Sequence, residues 1–356
     1  MASGPALTGH SVAGERWLDS LTDRAAAVLP APVLAYLEAG AFEGTSTGEA
    51  NDAWRQIRLL PRTLRDVRRI DTGVTLLGQQ LASPIAVAPT AMQRAAHRDG
   101  EKAMAAGCAE AGALHVVSSH AGFAWADLAL ESPWWFQLYV TPDRAETDDA
   151  VHAAVAAGAS AVVLTVDTPI PGPKPTVRDD DWADIDISWH RRNFPPNDEH
   201  WAADLSCADI VRLREITGLP VVVKGVLRAD DALACVDAGA AAIWVSNHGG
   251  RQLDRAVPTP RALPDIASAV RGRAEVYVDG GIRHGLDVLA GLAIGANAVF
   301  VGRPAFRALA VDGAAGVTRL LRDLTDELAL AMRLGGVASV SDCVALTVSG
   351  AQTTSL

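Results

Sequence analysis

The stretch VSNHGGRQLD, residues 245–254, puts an imidazole, two glycines and a guanidinium in four consecutive positions, His248 to Arg251, directly after an apolar run. Imidazole titrates near neutral pH and can take a proton from a reacting carbon or hydroxyl, while a planar guanidinium offers a two-pronged grip to a carboxylate. The intervening glycines let backbone pass close to whatever the two hold. Other polar or chemistry-bearing residues recur where short β-rich runs end: Pro89, Thr90 and Ala91; Ser118, with His120 just beyond; Gln137 and Tyr139; Thr165 and Asp167; Lys224; Ser246; Asp279, Gly281 and Arg283; Gly302 and Arg303.

The elements that must position them are eight β-rich runs: 84–90, 114–119, 135–140, 161–167, 220–225, 241–247, 275–281 and 298–303. Several are apolar on both faces of the pleat, as in a parallel sheet covered by helices. Ala-rich segments with helical spacing lie between them, among them 100–113, 229–240 and 285–296. Strand and helix alternating through eight units predict an α/β fold, a TIM (β/α)8 barrel. A doubly wound open sheet would favour a GxGxxG after its first strand, and none is present.

The reading is one domain over 1–356, with an N-terminal helical extension (1–80, including 31–41 and 59–67), the barrel (81–312), and a C-terminal helix and tail (313–356). The extension is expected to close the barrel bottom and send one element to its rim. A long loop follows strand 4; its Pro-, Trp-, Asp- and His-rich stretch 169–201 reads as a lid or mobile segment. The acidic run Asp179–Asp181 reads as a solvated face, so no metal is expected.

In such a barrel the strand exits converge at one end, which turns these residues into one candidate site. The loops after strands seven and eight, DGGIRHG and VGRP, are where such barrels seat phosphate; their glycines allow close approach and Arg283 and Arg303 can neutralise charge. Ser118, Gln137, Thr165 and Lys224 suit the polar edge of a flat heteroaromatic ring. FMN fits that outline.

Composition bounds the partners. Hydrophobic residues make 49% of the 356, enough for a large core, and the formal net charge of −11 speaks against nucleic acid. No segment reads as a signal peptide or membrane span, so a cytoplasmic protein without membrane contact is expected. The four cysteines, Cys108, Cys207, Cys235 and Cys343, lack metal or redox spacing and read as buried reduced thiols.

SNHGGRQLD resembles the active-site signature of the FMN-dependent alpha-hydroxy-acid oxidase and dehydrogenase family, which includes glycolate oxidase, lactate oxidase and mandelate dehydrogenase. APTAMQRAAHRDGE (88–101), FQLYV (136–140), LTVDTP (164–169), VVKGV (222–226), DGGIR (279–283) and VGRP (301–304) resemble its other segments in the same order. The resemblance implies His248 as base, with Asp167 supporting it, Arg251 on the substrate carboxylate, and Tyr139 and Tyr36 facing the substrate. It implies Pro89, Thr90, Ala91, Ser118, Gln137, Thr165, Lys224, Ser246, Asp279, Gly281, Arg283, Gly302 and Arg303 as the cofactor shell.

The implied reaction oxidises an (S)-2-hydroxy acid to a 2-oxo acid, by hydride transfer or through a carbanion. Oxygen or another acceptor takes the electrons, and a homotetramer is implied. A type 2 isopentenyl diphosphate isomerase, or a flavin-binding barrel without turnover, would not call for His248 and Arg251 together. The chain departs from the family after DTP, where an arginine-rich stretch is replaced by PIPGPKPTVRDD; Lys174 and Arg178 are the candidates to substitute. His120 stands where the family often carries an aromatic or small residue, which suggests a larger or more polar substrate.

Overall fold

The computed structural model describes residues 16–128, 130, 132–178, 182–183, 185–190, 192–194, 201–346 and 348–349. Asp179–Asp181 lie outside the described residues. The strands are β1 (Ile85–Val87), β2 (His115–Ser118), β3 (Trp134–Leu138), β4 (Val162–Thr165), β5 (Val221–Val226), β6 (Ala242–Val245), β7 (Glu275–Val278) and β8 (Ala298–Val301). Each pairs parallel with the next and β8 closes on β1, through Val299 with Ile85 and Val301 with Val87, so this is a TIM barrel. The strands are the expected ones; all but β5, which bulges and runs on to Val226, are shorter than their apolar runs because the last residues peel away from the ladder to form the mouth.

Three helices, α1 (Trp17–Val28), α2 (Ala31–Glu38) and α3 (Thr45–Arg55), precede the barrel. The covering helices are α4 (Gly100–Glu110), α5 (Arg144–Ala156), α6 (Cys207–Thr217), α7 (Ala229–Asp237), α8 (Thr259–Val270), α9 (Gly285–Ala293) and α10 (Arg303–Gly335). The β2–β3 connection carries only a single helical turn, Trp125–Leu128, because the segment is short and ends in Pro133. The expected C-terminal helix is the second part of α10: non-helical Asp312 and Gly313 break it from a first part that starts at Arg303, and it ends on left-handed Gly336.

Inside the barrel, Trp135, Trp244, Tyr277 and Phe300 form an aromatic cluster, with Trp244 and Phe300 centroids 3.9 Å apart. Small residues of the same cluster, Ala86 on β1, Ala161 just before β4, Ala242 on β6 and Ala298 on β8, make room for them. The extension holds more than helices: a hairpin, Val74–Leu76 with Gln79–Leu81, brings fully buried Leu76 to this cluster. Leu77 and Gly78 at its turn both have positive φ, which matches the twist of a tight hairpin. At the other end α3 is held by the 248–254 loop that follows β6, since Asp254 accepts from the amides of Glu43, Thr45 and Ser46. The tail packs through buried Cys343 and Leu346, and Val348–Ser349 pairs antiparallel with Arg58–Leu59.

All four cysteines are free, but only Cys108 and Cys343 are buried. Cys235 is partly covered and Cys207 is exposed, correcting the expectation of four buried thiols. Cys207 is the first residue of α6, where the Ser206 cap turns the chain outward. Among the described residues, no helix is long and apolar enough to cross a membrane and no side-chain cluster suits a metal ion.

His115, at the start of β2 on the helix-facing side, is 1% exposed and neither ring nitrogen has a hydrogen-bond partner among the described residues. Burial pushes its pKa down to about 3 from the ordinary 6.5. The folded chain therefore binds fewer protons there than the unfolded one, so its contribution to stability is full above 6.5 and is lost as pH falls toward 3. His115→Leu should lose about 2 kcal/mol less than the parent between pH 7.5 and pH 5 in urea unfolding with FMN saturating. Equal losses in both proteins would show that the imidazole is not held neutral.

Candidate active site

The 248–254 loop leaves β6 in an uncommon conformation: His248, Gly249 and Gly250 all have positive φ, at 57°, 63° and 76°. For His248 this is a strained region, sustained by packing around it. A Cβ on Gly250 would come within 2.4 Å of Thr47 Oγ1 and 2.5 Å of Thr47 N, so only glycine lets the loop lie on α3. The result aims the imidazole into the barrel mouth.

His248 Nδ1 lies 2.9 Å from Asp167 Oδ1, and its Nε2 lies 3.3 Å from the Tyr139 hydroxyl. With the Nδ1 proton on the carboxylate side, Nε2 faces the cavity as the basic nitrogen. Asp167 comes from the end of β4 and is seated against Gly225, where β5 bulges; a Cβ on that glycine would stand 2.6 Å from the Asp167 Cβ. Burial pushes the Asp167 carboxyl up, but His248 and the Lys224 ammonium outweigh it and hold the group below its usual range. Burial pushes His248 down, against the pull of Asp167, so the net shift is below the ordinary imidazole value. The imidazole is thus neutral and ready to accept a proton.

Arg251 lies over the Tyr36 ring, 4.7 Å from its centre, and Nη1 donates to the carbonyls of Tyr36 and Ala39 at 2.8 and 2.9 Å. Its Nε and Nη2 make no hydrogen bond among the described residues and so remain for a carboxylate. Lys174 stands in the same cavity, its pKa lowered to about 8 by burial and by Arg251. The wall beyond Tyr139 is made of flat rings: His120 sits 5.4 Å from Tyr139, 5.4 Å from His190 and 6.0 Å from Trp201, centre to centre.

On the opposite side is a fixed polar ledge. Gln137 accepts from the Ser118 hydroxyl at 3.1 Å and the Ser119 amide at 3.3 Å, and donates to Thr165 at 3.0 Å. Lys224 donates to Ser246 at 3.0 Å, and Ser246 to Asp279 at 2.7 Å, holding the ammonium at the barrel centre. At the far end, burial pushes Arg283 down to about 10, helped by Arg307, and Arg303 down to about 9, helped by Arg251. Cations that repel one another out of water call for an anion.

That end is shaped as well as charged. The amides of Arg283 and His284 are taken by Asp287, and that of Gly285 by Glu327, so the N-terminus of α9 is closed by the protein's own carboxylates. The first turn of α10 remains, beginning at Gly302, where an added Cβ would meet nothing nearer than 3.9 Å: open space at a helix N-terminus. Arg303 is tied down, donating to the carbonyls of Leu37, Ala39 and Gly249. These features fit FMN: Ser118, Gln137, Thr165 and Lys224 toward the ring, Arg283 and the Gly302–Arg303 turn toward the phosphate.

All the residues expected from the sequence line one cavity of about 450 Å³ except Asp167, which stands behind His248, and Ser246, which lies beneath Lys224. Of the two candidates for the altered loop, Lys174 lines the cavity, whereas Arg178 is exposed and does not. Sequence reasoning did not single out Thr168, His190, Trp201 or Gln252, which also line it. The signal for two of them was present in the Trp- and His-rich loop; Thr168 and Gln252 stood unremarked inside DTP and RQLD.

A family model described as FMN-dependent dehydrogenase matches residues 25–349. Glycolate oxidase 3 of Arabidopsis thaliana is 41% identical over 333 residues, covering 88% of this chain and 90% of that one. Human 2-hydroxyacid oxidase 1 is 38% identical over 345 residues, covering 91% and 93%. A solved structure of mandelate oxidase with benzoyl-formic acid superposes with a TM-score of 0.88 at 39% identity, covering 93% of this chain and 98% of that one.

Proposed function

The chain belongs to the FMN-dependent dehydrogenase family and is an oxidoreductase of its 2-hydroxy-acid-oxidising kind, and on that premise we propose that it converts an (S)-2-hydroxy acid to the 2-oxo acid with His248 as base and Arg251 as carboxylate anchor. The observation that carries this reading is a neutral, carboxylate-backed imidazole whose Nε2 opens on the same cavity as an incompletely bonded guanidinium. Arg251, with Lys174 and Tyr36, holds the carboxylate. His248 Nε2 and the Tyr139 hydroxyl then face the carbinol, and the imidazole takes its proton while Asp167 steadies the cation formed. FMN, when bound, supplies the two-electron acceptor, and oxygen or another carrier regenerates it.

The ring-lined wall of His120, His190 and Trp201 supports a substrate with a flat, polar side chain. Among the described residues the cavity charge favours a single carboxylate: Arg251, Arg283, Arg303, Lys174 and Lys224 face it with only Asp279 on its wall and Asp167 behind. A phosphate carrying about two negative charges and a single carboxylate balance that excess. A homotetramer completes the reading, supported by the family resemblance; light scattering in solution checks the assembly.

The decisive experiment is anaerobic titration of the FMN-loaded protein with glycolate, lactate, mandelate, hydroxymandelate and malate, following the flavin absorbance. Bleaching by the aryl acids is expected. Bleaching by glycolate or malate alone would remove the side-chain proposal, and no bleaching by any would remove the reaction.

The pH dependence follows from the two groups. Since kcat/KM reports the free enzyme, it should stay high to below the ordinary imidazole range and fall only as His248 protonates. On the alkaline side it should fall as pH rises through about 8, where Lys174 loses its proton and its hold on the carboxylate. Lys174→Met should lose that alkaline limb while keeping the acid one; an unchanged alkaline limb would remove Lys174 from substrate binding.

A further inference from the structure

We propose that Thr168 and Gln252 are a positioning pair that sets how much of the Asp167 carboxylate is offered to His248 and ties the 168–174 segment to the catalytic loop. The inference rests on reading His248 as the base. Asp167 Oδ1 receives two bonds, one from His248 Nδ1 at 2.9 Å and one from the Thr168 hydroxyl at 3.1 Å. Its Oδ2 is buried with no partner among the described residues, so a single oxygen serves both donors.

Thr168 is 5% exposed, and its oxygen in turn accepts from Gln252 Nε2 at 2.5 Å. That bond directs the hydroxyl proton away from the amide and onto Asp167, and a hydroxyl that accepts one bond donates a stronger one. The other end of the same amide accepts from the Gly172 backbone at 2.6 Å. Gly172 is pressed against the catalytic loop so closely that a Cβ would lie 2.5 Å from the Arg251 carbonyl. Two residues further on stands Lys174, whose ammonium donates to the Gly172 carbonyl at 2.9 Å. One side chain therefore spans the two halves of the reaction: the carboxylate behind the base and the loop bearing a substrate cation.

The consequence has a sign. The Thr168 hydroxyl draws charge from the oxygen that would otherwise stabilise the imidazolium, so it holds the base less basic than Asp167 alone would make it. The other groups that face His248 are Lys224 from β5, Tyr139 from β3, on which the Thr168 hydroxyl also acts, and Arg251 from its own loop; Thr168 Oγ1 itself lies 3.5 Å from His248 Nδ1, at the limit of a hydrogen bond, so its 3.1 Å bond to Asp167 sets the sign.

The test follows the acid limb of kcat/KM and, separately, the His248 imidazole titration by NMR in the FMN-loaded protein, assigned with His248→Gln. Thr168→Val should move both to higher pH by roughly half to one unit, the size of one ordinary hydrogen bond. Thr168→Ser should restore the parent values. Gln252→Met should move them the same way by less and raise KM several-fold through the freed 168–174 segment. Should Thr168→Val fail to fold, the half-exposed Gln252 site carries the test alone. Parent titrations in both Thr168→Val and Gln252→Met would overturn the proposal, even if melting temperatures fall. The NMR titration reads out whether or not any hydroxy acid reduces the flavin, so failure here and failure of the proposed reaction are told apart.

Discussion

His248→Gln should retain bound FMN and lose flavin reduction by the hydroxy acid by at least about 100-fold, the lower end for removal of a general base. Glutamine keeps a polar side chain of similar reach but has no site that takes a proton near neutrality. The cofactor side should be little disturbed, because Gln137, Lys224 and the Gly302 turn reach the cavity from β3, β5 and β8 and none relies on the imidazole. The loop should hold as well: the His248 amide donates to the Ser246 hydroxyl, a bond that does not involve the imidazole and survives the change. Anaerobic stopped-flow reduction beside a flavin-to-protein ratio is the measurement. Reduction at the parent rate with full flavin would show that proton abstraction does not depend on this residue.

Arg251→Met is the second large effect. Two charge-assisted hydrogen bonds to a carboxylate, at about 1.5–3 kcal/mol each, amount to a loss of roughly 10²- to 10⁴-fold in kcat/KM. The rise should fall mainly on KM, since the carboxylate is held alike before and during the reaction. Methionine preserves much of the stem that lies on Tyr36, which separates lost anchoring from lost packing. Arg251→Lys keeps the charge without the fork and should recover only part of the loss. A complication can be measured directly: Arg251 Nη1 also bonds the carbonyls at the end of α2, so a fall in melting temperature is expected beside the kinetic change. Unaltered KM would place the carboxylate elsewhere, with Lys174 the first residue to try.

Much of this site is written locally. Each strand of a parallel barrel is an apolar run, and each run ends where a polar or glycine residue begins; because all eight strands point the same way, naming the ends is nearly naming the site. His248, Arg251, Lys224, Gln137 and the glycine turns were legible for that reason. Except at β5, the apolar runs overstated the strands by a residue or more at the mouth, since hydrophobicity does not record where a ladder opens.

What only the tertiary structure decided is which atom meets which. Asp167 and His248 are 81 positions apart, and Thr168 and Gln252 are 84 apart, so no local pattern could show that one carboxylate oxygen serves both a base and a hydroxyl. Arg303 has the sequence context of a phosphate ligand, yet its guanidinium is turned onto the carbonyls of Leu37, Ala39 and Gly249 because the end of α2 arrives beside it. The packing of Leu76 into the barrel interior and the capture of the Gly285 amide by Glu327, 42 positions away, share that cause. The period of an apolar run is a property of neighbours in the chain and can be read along it; a hydrogen bond or a buried face is a property of neighbours in space, and exists only once the barrel has closed.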